Sequence, residues 1–100
     1  LYTSGTTGHP KGAMLTHRNL ASNVASIREA LQLTPGRDVL LCVLPMFHAF
    51  AATVCMIFPL TNGCTVVPVP KFDPQGVADL VAAHGVTVLP MVPSMFSVLL

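Results

Sequence analysis

The sequence predicts an α/β fold with a mostly parallel sheet. Three short apolar runs, 39–44, 65–69 and 86–89, alternate with segments in which apolar residues recur at helical spacing. Runs that are apolar throughout are typical of strands covered on both faces, which occur mainly in parallel sheets. Composition agrees, because 52% of the residues are hydrophobic and only 9% are charged, against about 25% charged in an average domain.

The first predicted helix starts near Thr16, whose hydroxyl can cap the first turn. Its apolar positions fall on one helical face at spacings of four, three and four residues: Leu20, Val24, Ile27 and Leu31. The breakers Thr34-Pro35-Gly36 predict its end. The run 39–44 then predicts a strand that is covered on both faces and closed by Pro45.

A second predicted helix covers residues 49–60, where the chain is most apolar. Asn62-Gly63 stops it, and Pro59 weakens its last turn because proline cannot donate a backbone hydrogen bond. The β-branched run 65–69 predicts the next strand. Pro68 places that strand at a sheet edge or a bulge, since only there is a missing N–H tolerated.

Asp73-Pro74 predicts the start of a third helix, with an acidic N-cap and a proline in the first turn. Gly85 follows the end of this helix. Residues 86–89 predict a third buried strand, and Pro93-Ser94 opens a final helix. The order after the first loop is therefore helix, strand, helix, strand, helix, strand, helix, which favours a parallel sheet.

Charge and cysteine content exclude several classes of function. A net charge of +1 gives no electrostatic signature of a protein that binds nucleic acid or an anionic membrane. The three cysteines lack C-x-x-C spacing, so buried free thiols in a reducing cytoplasm are expected rather than a metal site or disulfides. The apolar stretch 49–60 is too short for a bilayer, which needs about 20 residues. Peripheral membrane contact stays open.

We expect residues 1–100 to be part of a larger domain. The chain has no initiator Met, opens on a loop rich in functional groups and closes on apolar Val98-Leu99-Leu100. Its low charge is more typical of an inner part of a sheet than of a self-contained small domain, which needs charge to cover a large surface.

The opening loop, residues 2–12, predicts a site for polyphosphate. Its sequence is Tyr-Thr-Ser-Gly-Thr-Thr-Gly-His-Pro-Lys-Gly. Glycines let backbone N–H groups turn toward an anion, each hydroxyl can donate a hydrogen bond to a phosphate oxygen, and Lys11 adds a mobile positive charge. The alternative is a flexible surface turn, which would not need four hydroxyl groups and a lysine.

The loop does not match the P-loop pattern G-x-x-x-x-G-K-[ST]. Counted from Gly5, that pattern needs glycine at position 10 and Ser or Thr at position 12, where this chain has Pro10 and Gly12. A P-loop phosphotransferase or ATPase is therefore disfavoured, because the hydroxyl that would hold magnesium after the lysine is missing.

The same loop closely resembles the signature loop of the AMP-forming adenylating enzymes, among them acyl-CoA synthetases, aryl-CoA ligases, luciferases and peptide-synthetase adenylation domains. His9 fills the position that varies in that family. The resemblance implies that the chain is a partial adenylation domain, truncated at both ends, from the large N-terminal domain of such an enzyme. It also implies the residues that contact the ATP phosphates: Thr3, Ser4, Gly5, Thr6, Thr7, Gly8 and Lys11.

The resemblance implies two reactions in the parent enzyme, which uses ATP, Mg²⁺ and coenzyme A. A carboxylate attacks ATP to give acyl-AMP and pyrophosphate, and the thiol of coenzyme A then displaces AMP. Lys11 would act catalytically on the β and γ phosphates, and Thr3 would lie near the metal ion. The acidic Mg²⁺ partner, the ribose-binding aspartate and the C-terminal catalytic lysine of the family have no counterpart here, so the 100 residues alone are expected to be inactive.

A second group of candidate residues follows the first predicted strand, at Pro45-Met46-Phe47-His48-Ala49-Phe50. Ligands of open α/β sheets bind outside the carboxyl ends of strands. An imidazole beside two aromatic rings and a thioether suits the mouth of an apolar pocket. An ordinary core corner, with His48 donating to a helix end, is an equally good interpretation from the residues alone.

Pro45-Met46-Phe47-His48 also resembles the adenylating family's second core motif, which lines the acyl pocket. Peptide-synthetase domains commonly have Asp after the Phe, whereas His in that position is similar to fatty-acyl and aryl CoA ligases. The resemblance implies that His48 flanks the acyl carboxylate as a catalytic residue and that Phe47 and Phe50 line the substrate pocket. By the same resemblance Lys71, in Pro70-Lys71-Phe72, approaches CoA; from composition alone it is a solvated surface lysine.

The favoured prediction is a fatty-acyl CoA ligase in the cytoplasm that acts on small molecules. Two alternatives stay open. One is an aryl-CoA ligase of the 4-coumarate type. The other is a non-catalytic module that keeps the fold and binds a nucleotide or an acyl chain.

Overall fold

Helices and strands alternate along the chain after an N-terminal hairpin. The computed structural model describes residues 1–5 and 8–100. Its elements are β1 (Tyr2–Thr3), β2 (Lys11–Gly12), α1 (His17–Leu31), β3 (Val39–Cys42), α2 (Ala49–Ala51), a π-helical segment (Ala52–Ile57), α3 (Phe58–Thr61), β4 (Thr65–Pro68), α4 (Pro74–His84) and α5 (Pro93–Leu99).

β3 is the centre of the sheet. It pairs in parallel with β4, from Val39 opposite Thr65 to Cys42 opposite Pro68, and a parallel bridge joins Leu40 to Val88. Pro68 is tolerated because the N–H groups of Thr65 and Val69 donate to the carbonyls of Asp38 and Cys42, so the nitrogen of Pro68 faces away from β3. The predicted α/β class with a mostly parallel sheet is confirmed, and within the described part of the chain β4 lies at the predicted edge.

Both faces of β3 are covered. Successive side chains of a strand point to opposite faces, and Leu40, Leu41 and Cys42 are each 2% exposed or less. On one face, Leu41 packs with Val67 of β4 and Val77 of α4. On the other face, Leu40 packs with Phe58 of α3, and Cys42 packs with neighbours from the helix that follows. Burying each leucine stabilises the fold by about 1.5–3 kcal/mol.

The predicted helix starts are confirmed. The Thr16 hydroxyl accepts from the Asn19 N–H at 3.1 Å while the Asn19 side chain accepts from the Thr16 N–H, which is a capping box. The Asp73 carboxylate accepts from the Gly76 N–H at 3.0 Å and caps α4, which ends at Gly85 in the left-handed conformation. No helix among the described residues is both long enough and apolar enough to cross a membrane.

Three predicted boundaries lie too far along the chain, and one of them is the end of β4, which is Pro68 rather than Val69. α1 ends at Leu31, three residues before Thr34, because Gln32 adopts a left-handed φ of 50° and its N–H closes the helix onto Arg28. β3 ends at Cys42 rather than at residue 44. Val43 is still buried, so the apolar run correctly predicted burial but overestimated the length of regular pairing.

The predicted helix over 49–60 is present but is not a regular α-helix. Residues Ala52–Ile57 form a π-helical segment between α2 and α3, and the Phe58 N–H donates to the carbonyl of Thr53, five residues earlier. Pro59 explains the irregularity, since its ring has no N–H for the i−4 carbonyl and would clash with it in a regular helix.

The predicted third buried strand, 86–89, is wrong as a regular strand. Only the bridge at Val88 is present, and Val86, Val88 and Leu89 are half-buried. The N–H groups of Thr87 and Val88 both donate to the carbonyl of Val39. Two adjacent N–H groups on one carbonyl interrupt the even spacing of hydrogen bonds in a parallel ladder. Pro90 has no N–H, so it cannot continue the ladder.

Asp38 anchors this segment from the start of β3. Its side chain is 6% exposed and accepts from the Thr34 N–H and, at 2.9 Å, from the Thr87 hydroxyl. These two donors, the Thr34 N–H first, lower the pKa of Asp38 below its usual value. The Arg37 guanidinium lies 3.7 Å away but is solvent-exposed, so its contribution is smaller.

The lowered pKa predicts an acid-sensitive contribution to stability. Folding favours the Asp38 carboxylate, so this contribution is complete above the unfolded-state pKa of about 3.9 and is lost as pH falls through the lower folded-state value. We expect the protein to exceed its Asp38→Asn variant in free energy of unfolding at neutral pH, and the difference to shrink below about pH 4. Denaturant unfolding of both proteins at a series of pH values measures this difference in the free energy of unfolding. A difference that widens on acidification would contradict this assignment.

Candidate functional site

The opening loop is carried on a short antiparallel hairpin that the sequence analysis did not predict. Tyr2 pairs with Gly12, and Thr3 pairs with Lys11. The Ala13 N–H donates to the carbonyl of Leu1 at 2.6 Å, and the Thr3 hydroxyl lies 3.4 Å from the carbonyl of Lys11. The hairpin therefore holds the two ends of the loop together and places Thr3 and Lys11 opposite each other.

Two glycines shape the loop. Gly5 and Gly8 have φ values of +69° and +83°, in the left-handed region that favours glycine. A Cβ added at Gly5 would overlap the carbonyl oxygen of His9, whereas a Cβ at Gly8 would meet no atom within 4 Å. Gly5 is thus required both by its backbone conformation and by the close approach of the returning chain.

The predicted phosphate ligands lie around this turn. Thr3, Ser4, Gly8 and Lys11 are exposed, and Gly5 is half-buried. Thr6 and Thr7, which the sequence analysis also assigned to the phosphates, lie outside the described residues. An exposed lysine opposite an exposed threonine hydroxyl can offer an anion both a positive charge and a hydrogen bond.

His48 lies at the turn between β3 and α2. Its N–H donates to the carbonyl of Pro45 at 3.1 Å, and its own carbonyl accepts from Ala52. Its side chain makes no capping hydrogen bond to α2. The imidazole is exposed and stacks at an angle on Phe47, with ring centroids 4.6 Å apart and planes inclined by 45°.

A cavity of about 470 Å³ opens at the carboxyl ends of β3 and β4. Residues 42–47 form one wall and residues 68–70 form the other. Phe47, which is 73% exposed, lies at its rim, directly before His48. The cavity is therefore at the end of the sheet where ligands of α/β proteins bind, as the sequence analysis expected for the Pro45–Phe50 segment.

Phe50 lines a different depression. This second groove has a volume of about 340 Å³ and an almost wholly apolar lining. Its walls come from α1, from the helix after His48 and from the segment after Thr87: Ile27, Ala30, Leu31, Phe50, Val54, Val88, Leu89 and Pro90. Phe47 and Phe50, which were predicted to line one pocket, therefore line two different depressions. His48 lines neither of them.

Lys71 is exposed and directly follows Pro70, a residue of the 470 Å³ cavity. This position fits a cation near the mouth of that cavity.

For a metal ion, no group of three or more His, Cys, Asp or Glu side chains comes together within the described part of the chain. Thr3 would offer Mg²⁺ one hydroxyl, which suits an ion held mainly by water and substrate phosphates.

The three cysteines are buried free thiols. Cys42 lines the 470 Å³ cavity, but burial raises its pKa and raises the pKa of its neighbour Cys55 to about 12. Both side chains are therefore protonated at neutral pH, and neither supplies a thiolate nucleophile.

Comparison with known proteins identifies the family. The family model described as "AMP-binding enzyme" matches residues 1–100. The chain belongs to the AMP-binding enzyme family. It is 44% identical over 95 residues to 4-coumarate–CoA ligase 1 of Oryza sativa subsp. japonica, covering 92% of this chain and 17% of that protein. It is 43% identical over 95 residues to the putative acyl-CoA synthetase YngI of Bacillus subtilis, covering 95% of this chain and 17% of that protein.

Solved structures of AMP-binding enzymes share the fold. The inhibitor-bound N-terminal domain of FACL13 from Mycobacterium tuberculosis matches with a TM-score of 0.88 and 39% identity, covering 98% of this chain and 24% of that one. The O-succinylbenzoate coenzyme A synthetase MenE of Bacillus subtilis, in complex with ATP and magnesium ion, matches with a TM-score of 0.88 and 33% identity, covering 99% and 20%. The chain thus spans about a fifth of the length of these relatives.

The bonded pair Asp38 and Thr87, at the amino end of β3 and directly before the wall of the Phe50 groove, was not predicted from the sequence. The sequence signal for Asp38 is its position directly before an apolar strand. An acid that is buried there needs a partner, because buried acids are rare unless they are paired. Its partner Thr87 is 49 residues away, and that separation could not be inferred from local spacing.

The two loop glycines give a matched pair of variants. Gly8→Ala is expected to cost about 1–2 kcal/mol, since only the left-handed backbone is disfavoured. Gly5→Ala is expected to cost more, because its Cβ also overlaps His9. Amide hydrogen exchange of Lys11 and Ala13 measures hairpin pairing, and it should accelerate more in Gly5→Ala than in Gly8→Ala. Equal exchange in both variants would show that the close approach at Gly5 is unimportant.

Proposed function

We propose that these residues belong to a longer AMP-forming acid–CoA ligase that activates a carboxylic acid with ATP and transfers the acyl group to coenzyme A. The observation that supports this most directly is the hairpin loop, with left-handed Gly5 and Gly8 and an exposed Lys11 opposite Thr3. Membership of the AMP-binding family, and relatives named as CoA ligases, support the same reaction class.

In the first half-reaction, a carboxylate oxygen attacks the α-phosphorus of ATP, and the bond to pyrophosphate breaks. Negative charge grows on the departing pyrophosphate, so preorganised donors near it lower the barrier. In this proposal Thr3, Ser4, Gly5, Thr6, Thr7 and Gly8 surround the phosphates, and Lys11 provides the charge. Mg²⁺, when bound near Thr3, would neutralise further phosphate charge.

In the second half-reaction, the thiol sulfur of coenzyme A attacks the acyl carbon, AMP leaves, and the thiol proton passes to solvent or a nearby base. His48 is exposed beside the 470 Å³ cavity and is proposed to flank the acyl carboxylate. Lys71 is proposed to contact CoA, because it follows Pro70 in the wall of the same cavity. Lys71→Met is then expected to raise the KM for CoA.

A fatty acid is the proposed substrate, with its tail against Phe50 in the 340 Å³ groove and Phe47 at the rim of the 470 Å³ cavity. The almost wholly apolar groove at Phe50 supports an aliphatic tail, since no buried polar group there would be left unpaired by it. An aromatic acid is the second candidate, because several similar relatives are 4-coumarate–CoA ligases. We place the enzyme in the cytoplasm, because its three cysteines are buried free thiols and do not form disulfides.

Hydroxylamine trapping of acyl-AMP by the full-length protein tests the reaction class. A panel of fatty and aromatic acids should give hydroxamates together with AMP, and the preferred acid decides between the two substrate candidates. Formation of ADP instead of AMP would refute the proposal. Nucleotide binding without any hydroxamate would instead favour the non-catalytic module.

Loss of the Lys11 charge should slow acid-dependent ATP–pyrophosphate exchange. We expect Lys11→Met to lower kcat/KM about 5- to 150-fold, which corresponds to the 1–3 kcal/mol of a charge-assisted hydrogen bond. Arg28→Met removes an exposed positive charge from the last turn of α1 and serves as the control. If both variants lose the same activity, general electrostatics would account for the effect and the specific role of Lys11 would be rejected.

Residues 1–100 in isolation are expected to show no carboxylate-dependent exchange. The family's acidic metal partner, ribose-binding aspartate and C-terminal lysine have no counterpart in them. ATP–pyrophosphate exchange, with the full-length protein as positive control, measures this directly, and clear acid-dependent exchange by the isolated residues would overturn it.

A further inference from the structure

We propose that Thr87 and Asp38 are positioning residues that fix the wall of the Phe50 groove and thereby decide which acid tails the enzyme accepts. This inference rests on the proposed function. Neither residue lines the groove, so neither would touch the tail or the reacting atoms. Their effect would be transmitted through the segment 88–90, which forms the groove wall directly after Thr87.

The Thr87 hydroxyl joins three parts of the fold. It donates to the Asp38 carboxylate at 2.9 Å and accepts from the Val39 N–H at 3.0 Å. The other carboxylate oxygen of Asp38 accepts from the Thr34 N–H. One hydroxyl therefore ties the segment after α4 to the start of β3 and, through Asp38, to the turn that follows α1.

The groove wall has little other regular support. Residues 86–89 do not form a strand in the described structure, and the pairing beyond Thr87 is the bridge at Val88, whose carbonyl accepts from the Leu41 N–H at 3.0 Å. Pro90 cannot donate a backbone bond. Backbone bonds from Thr87 and Val88 to the Val39 carbonyl, and packing of Val88 and Leu89 on the core, also hold this wall. The Thr87 side-chain bonds, two residues before Leu89, add the polar attachment at its start.

The opposite walls of the groove are held by apolar packing, which Val88 shares with Ile27, and not by the Thr87 hydroxyl. Ile27 packs into the buried cluster around Leu40 and Phe58, and Val54 packs with Cys42 and Cys55. A shift of residues 88–90 would therefore change the width of the groove rather than move it as a whole. Width matters most for discrimination between aliphatic tails and rings, since packing in an apolar site falls off steeply with a gap of even 0.5–1 Å.

The test compares Thr87→Val, which keeps the shape and removes the hydroxyl, with Thr87→Ser, which keeps the hydroxyl. Both are made in the full-length protein, and Asp38→Ala, which removes both acceptor oxygens, serves as a second route to the same loss. Fatty acids of increasing length and 4-coumarate are compared by KM for the acid and by binding without turnover in titration calorimetry. Amide exchange of Leu41 and Val88 reports the attachment of the wall independently of activity.

We expect the amide hydrogens of Leu41 and Val88 to exchange at least about fivefold faster in Thr87→Val than in the wild-type protein, as for one lost hydrogen bond to a charged group. The preference between the best and worst acids should fall by a similar factor, with the KM for ATP unchanged, and Thr87→Ser should restore both. If exchange accelerates while relative acid affinities stay constant, or if no exchange difference appears, the inference is wrong. If the wild-type protein binds no acid and forms no acyl-AMP, the proposed function itself fails.

Discussion

Burial of β3 on both faces is the constraint from which the rest of the structure follows. Leu40, Leu41 and Cys42 are almost inaccessible to solvent, and their alternating side chains need apolar partners above and below the sheet. Helices α1 and α3 meet this need on one face and α4 on the other. Because helices that cover both faces require crossover connections, the strands run parallel and their carboxyl ends meet at one edge.

That edge explains why the candidate acid-binding residues cluster. A strand buried on both faces has no side chains free for a ligand along its length, so recognition shifts to the residues that immediately follow it. Phe47 and His48 follow β3, and Lys71 follows β4 by three residues. The 470 Å³ cavity is bounded by these two strand ends, and its position is a consequence of the topology rather than of any single side chain.

Sequence reasoning recovered the parts of the fold that depend on local chemistry. Thr16 and Asp73 cap their helices because a side-chain oxygen three residues before an N–H can reach it, and this spacing is visible in the sequence. The hairpin at Tyr2 and Gly12 and the π-helical segment were missed. The first depends on pairing across a loop, and the second on how Pro59 competes with the preceding helical turns, so neither is set by local periodicity.

The same distinction holds at the site. The loop residues were identifiable because glycine, hydroxyl and lysine must be adjacent in sequence to surround one phosphate group. The bond between Thr87 and Asp38 was not identifiable, because residues 86–89 have the composition of a buried strand, and composition cannot show that a hydroxyl donates to a carboxylate 49 residues away. Long-range hydrogen bonds to a buried acid are set by topology, which is known only when the fold is known.

Charge distribution along the chain separates the two halves of the proposed chemistry. All four acidic residues, Glu29, Asp38, Asp73 and Asp79, come after residue 28, so the loop with Lys11 has no acidic neighbour in its own part of the sequence. Among the described residues Lys11 forms no salt bridge, so no carboxylate there neutralises its charge. The apolar groove at Phe50, in contrast, offers almost no polar surface. One small α/β unit therefore presents a cationic loop and an apolar groove on separate elements, which suits a reaction that joins a nucleotide to an acid with an apolar tail.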